Sequence, residues 1–201
     1  MKTNKQHQHI LYLTQLAVLI AIMLVLELTG IGMIKVGALE MTILQVPVIV
    51  GAIVMGPAAG GLLGLAFGLI SFWECFGRSP FGATLLGINP YLTFLVCVPT
   101  RTLMGWLCGL IFRALGGETA KLPAYLVSSL SGAFLNTVLF MAALLLCFGN
   151  SDYILEMRGS ANILAFVASL VGLQGLVEAI LCTLLGTAIG KGVCHALKSA
   201  S

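Results

Sequence analysis

The stretch from Gln45 to Phe72, QVPVIVGAIVMGPAAGGLLGLAFGLISF, runs for 28 residues without a charge. It is broken once, at Gly56-Pro57, where a breaker ends one helix and pre-sets the first turn of the next. With its flanking residues each arm is long enough to cross roughly 30 Å of hydrocarbon, so the stretch reads as a tight helical hairpin. Gly56, Gly60, Gly64 and Gly68 recur every four residues, and from Gly60 onward they mark one face of the second arm. Small residues at that spacing let helix backbones approach closely in lipid, where apolar burial alone gives helices no preference for one another. A generic packing seam explains the spacing without any further role.

Composition agrees. Hydrophobic residues make up 59% of the chain and charged residues 8%, and the mean hydropathy is +1.08. A soluble domain carries about 25% charged residues. The chain is therefore read as an all-α integral membrane protein, one domain over residues 1–201, with no linker or low-complexity tract to divide it. Six transmembrane helices are expected, at about 10–28, 42–55, 58–73, 90–112, 123–148 and 161–189. The first apolar run, Ile10 to Leu26, exceeds a signal-peptide core and has no clear A-x-A cleavage site, so it counts as a span.

Six spans bring both termini to one side. Lys2, Lys5, Arg113, Lys121, Lys191 and Lys198 gather there, against Lys35, Arg78 and Arg158 opposite, which puts both termini in the cytoplasm. Topology thus accounts for the net charge of +3, and nucleic acid is not an expected partner. Cys75, Cys97, Cys108, Cys147, Cys182 and Cys194 form no C-x-x-C and read as buried apolar thiols. His7 and His9 fit a solvated tail, and no metal site is expected. With no P-loop, G-x-S-x-G or H-E-x-x-H, the chain is not expected to be an enzyme.

Polar groups inside spans are costly and so are functional candidates by default. Arg101 lies in the fourth span and Asn136 in the fifth; Gln174 and Glu178 lie one turn apart on the sixth. A cation, amides and an acid thus stand at similar depth. Two readings remain open: an Arg101–Glu178 pair that only ties helices together, or groups facing a cavity that receives a polar ligand. Trp73, Asn89, Tyr91 and Asn162 would crowd the outer mouth, where they also serve as interfacial anchors. Glu27 closes the first span at the outer surface.

Six spans in 201 residues, the Ala17-Val-Leu-Ile-Ala21 segment of the first helix and the VPVIVGAIVMGPAAGGLLGLAFGLISF hairpin resemble the substrate-binding S components of energy-coupling factor vitamin transporters. The resemblance covers most of the chain. It is best from Thr42 to Phe112, where TILQVPVIVGAIVMGP and VPTRTLMGWLCGLIFRAL are similar to the pantothenate type. It implies a vitamin bound from outside, between the later helices and the loop after the first. It also implies that the small-xxx-small motif matched by Ala17 and Ala21 docks against a transmembrane coupling subunit. Two cytoplasmic ATPases on other chains would use the ATP, so this chain itself would hold no cofactor. The implied location is the plasma membrane of a prokaryote. Pantothenate would set its carboxylate on Arg101 and its amide and hydroxyls on Asn136 and Gln174, or its carboxylate on Lys35 or Arg78 of the outer loops. The alternatives are another vitamin such as riboflavin or folate, or a stand-alone secondary carrier, although no convincing internal repeat supports the latter.

Overall fold

The structure is a computed structural model describing residues 2–30, 32–36, 39–117 and 121–199; the side chains of 2–5, 33–36, 39–41, 173–174 and 197–199 lie outside the described residues. The chain is helical as expected, with one small addition. Helix α1 (Lys2–Thr29) is followed by strands β1 (Met33–Val36) and β2 (Leu39–Thr42), an antiparallel hairpin that sets Lys35 opposite Glu40. The hairpin falls between the spans expected at 10–28 and 42–55, and nothing in their helical periodicity announces it.

Helices α2 (Gln45–Met55) and α3 (Pro57–Glu74) form the expected hairpin, and the chain turns at Gly56. Gly56 has φ +93°, a conformation that glycine adopts without steric cost. At 11 residues, α2 is about 16 Å long, too short for the span expected at 42–55. It is tolerated because it does not face lipid: nine of its eleven residues are buried, and it touches α1, α3 and three later helices.

Those helices are α5 (Pro90–Ala114), α6 (Leu122–Phe148) and α8 (Ile163–Ser199). Two short helices stand between the expected spans, where no helix is expected. Helix α4 (Pro80–Ile88) is started by Pro80 in its first turn and by Ser79 Oγ, which accepts from Gly82 N at 3.2 Å. Helix α7 (Asp152–Arg158) is capped in the same way by Ser151. The sixth expected span, 161–189, is not one rod. Gly172, at φ +31° and ψ −137°, breaks α8. The part before the break meets α7 at 83°, and the stretch long and apolar enough to cross a membrane begins at Gly175. Among the described residues five helices meet that requirement, or six if the bent pair counts as one span.

The glycine ladder is a seam between α3 and α5, the most extensive helix contact among the described residues. A Cβ on Gly60 would run into the Gly105 carbonyl and one on Gly64 into the Arg101 carbonyl; on Gly68 it would lie 2.7 Å from Val98 Cα. Across the seam, Gly105 and Gly109 abut Gly60 and Pro57. Backbone therefore lies on backbone. At one end of the bundle Arg78 Nε meets the buried Glu27 Oε1 at 3.4 Å, joining α1 to the turn after α3. At the other end the Arg113 guanidinium covers Gly56.

Candidate functional site

A cavity opens between α3, α4, α5, α6 and α8, with Thr42 of β2 at its edge. It has a volume of ≈ 120 Å³, on the order of ten waters by the room one water needs. Its walls are mixed. Phe67, Phe81, Phe140 and Met141 supply apolar surface; Arg101, Asn136, Glu74 and Glu178 supply polar groups. Apolar walls with a few placed polar groups are the usual make-up of a small-molecule site.

Arg101 is 7% exposed and its position follows from the seam, because Gly64 lets its backbone press against α3. Nη1 donates to the Val96 carbonyl at 3.0 Å and to Thr100 Oγ1 at 3.2 Å. The guanidinium lies 4.8 Å from the Phe140 ring centre and 5.5 Å from that of Phe67, within cation–π range of both. Among the described residues Nε has no hydrogen-bond partner. This cation is held in place by rings and backbone, with donor capacity to spare.

Glu178 stands on the α8 side of the cavity, and its Oε1 accepts from Gln45 Nε2 at 2.6 Å. The same Gln45 amide reaches Cys182 Sγ at 3.1 Å. Gln45 is fully buried at the start of α2, so it fixes the carboxylate's orientation from behind. Among the described residues no direct ion pair joins Arg101 to Glu178. The helix tie considered from the sequence is thus not made as a direct bond; the two charges share a cavity instead. Asn136, itself buried, lines the same space.

Arg101, Asn136 and Glu178 are therefore brought together. The side chain of Gln174 lies outside the described residues. The other four candidates stand away from the cavity wall. Asn89 caps α5 by accepting from the Tyr91 and Leu92 amides, and Asn162 accepts from Ala165 N at the start of α8. Tyr91 is 83% exposed, and Trp73 stacks beneath Arg78, 5.8 Å from its guanidinium. Arg78 is engaged by Trp73 and Glu27, and the Lys35 side chain lies outside the described residues. Ala17 and Ala21 both lie on exposed surface of α1.

Sequence reasoning missed Gln45, Glu74, Ser71, Cys75 and Cys97, of which all but Gln45 line the cavity. Glu74 falls just past the span expected at 58–73 but is the buried last residue of α3. Gln45 carried a usable signal, as an amide opening an otherwise apolar, uncharged run.

Two comparisons bear on this arrangement. The family model described as "ECF transporter, substrate-specific component" matches residues 11–190. The chain is also 32% identical, over 188 residues, to the pantothenic acid transporter PanT of Lactococcus lactis subsp. cremoris (strain MG1363). That match covers 87% of this chain and 89% of the relative. The span-length helices and the mixed cavity agree with a membrane subunit that receives a small solute. The chain belongs to the substrate-specific components of energy-coupling factor transporters, multi-pass proteins of the prokaryotic plasma membrane.

Proposed function

We propose that this chain is the pantothenate-binding subunit of such a transporter and that the ligand occupies the cavity around Arg101. The observation that carries the reading is a buried guanidinium at the cavity wall, set between two rings, whose Nε has no hydrogen-bond partner among the described residues. A planar guanidinium grips a carboxylate through parallel hydrogen bonds, and pantothenate offers one carboxylate. Asn136 and Gln174 serve its amide and hydroxyls, and Glu178, oriented by Gln45, accepts from a hydroxyl. Both termini lie in the cytoplasm. A transmembrane coupling subunit docks on the Ala17–Ala21 strip of α1, and two cytoplasmic ATPases supply the energy.

The test compares pantothenate with its neutral alcohol analogue on Arg101→Gln. Loss of one partner from a buried charge pair costs about 2–5 kcal/mol, so the acid should weaken by that amount and the alcohol much less. Equal losses would make Arg101 a structural tie. Unchanged binding by a folded variant would remove it from the site.

A further inference from the structure

Two thiols meet on the cavity wall, and the ligand reading makes no use of them. Cys75 caps the end of α3 and Cys97 sits on α5. They are 4% and 5% exposed, both line the cavity, and they pack with Val98 in one cluster. Both thiols therefore lie in one small packed group where α3 ends beside α5. Cys75 Sγ donates to the Ser71 carbonyl at 3.3 Å, and Ser71 lines the same cavity. The first turn of α4 keeps this sulfur in place, since a Cβ on Gly82 would lie 2.6 Å from it. Neither cysteine is bridged, and the other four cysteines do not line the cavity.

Apolar packing alone does not call for two thiols in one cluster at the edge of an open space. We propose that Cys75 and Cys97 form a dithiol on the cavity wall, which closes to a disulfide when a small two-electron thiol oxidant enters. With an azodicarboxamide such as diamide, one thiolate adds to the N=N bond. The second sulfur then attacks the first, the S–N bond breaks and the S–S bond forms. Two electrons and two protons pass to the reagent, which leaves as the hydrazine. The thiol is the nucleophile only as its thiolate, so the step speeds up with rising pH.

The test uses the purified full-length chain in detergent. After diamide, quenching and unfolding, alkylatable cysteines should fall from six to four, and a peptide joining Cys75 to Cys97 should appear. Dithiothreitol should restore all six. Cys75→Ser and Cys97→Ser should each keep every remaining thiol. Six free thiols after diamide, or a bridge joining any other pair, would overturn the proposal. Should a serine variant fail to fold, the cross-linked peptide from the unmodified chain decides alone. A second arm adds saturating pantothenate. Slower bridging is expected if that ligand fills the same cavity; an unchanged rate would sink the ligand's placement and leave the dithiol standing.

Discussion

At the scale of single residues, Gly64 and Gly61 of α3 make a paired test of the seam. A Cβ on Gly64 would strike the Arg101 carbonyl and come within 3.0 Å of Thr102 Cα, both backbone, so nothing nearby can yield. On Gly61 the nearest atom is Trp106 Cβ at 3.7 Å, an ordinary contact. Overpacking costs about 1–3 kcal/mol, so Gly64→Ala should lower the melting temperature in detergent, whereas Gly61→Ala should leave it unchanged or raise it. Equal effects would show that α3 and α5 do not meet along this line. The ladder was legible because small residues at a four-residue spacing have few other uses in lipid. Arg101, Asn136 and Glu178 stood out because polar groups inside a span are costly there. Gln45, Glu74, Cys75 and Cys97 did not, because acids and amides at span ends pass for loop residues and thiols for apolar filling. Their roles depend on which helix faces which, and no local pattern encodes that.

Among the elements, α1 stands apart. Of its membrane window 6% is buried, and it packs on α2 and α3. Ala17 and Ala21 lie on the exposed side. In the proposed complex they form a smooth strip for a partner helix, where a bulky group would hold the backbones apart. Ala17→Trp or Ala21→Trp should abolish uptake by the assembled transporter while pantothenate binding by the isolated subunit stays near normal. Loss of both would mark the strip as internal packing. The long helices were readable from apolar runs, and the α2–α3 turn from Gly56-Pro57. The break in α8 was not, because LVGLQGLV reads as continuous helix and an isolated glycine is tolerated in one. Ser79-Pro80, in contrast, is a helix-start signature legible in the sequence, although no helix is expected between the spans at 58–73 and 90–112.

Taken as a whole, the molecule binds and does not burn fuel in the proposed division of labour. Purified alone, it should give no saturable ATP binding in calorimetry and no hydrolysis; either would return the reading to a carrier or an enzyme. The size of the cavity was beyond reach of the sequence, since it depends on where α2 stops, where α8 breaks and how α4 folds over. The seam beneath it also bears on entropy. Interlocking side chains keep alternative rotamers, but a backbone laid on a backbone has none to choose among. Arg101 rises from the part of the seam where Gly64 meets its own carbonyl, with rings on two sides of its guanidinium. Immobilising a flexible side chain on binding costs about 0.5–1.5 kcal/mol. In this molecule that freedom is given up when the helices pack, so a carboxylate that reaches Arg101 meets a group already ordered and converts more of the contact into affinity.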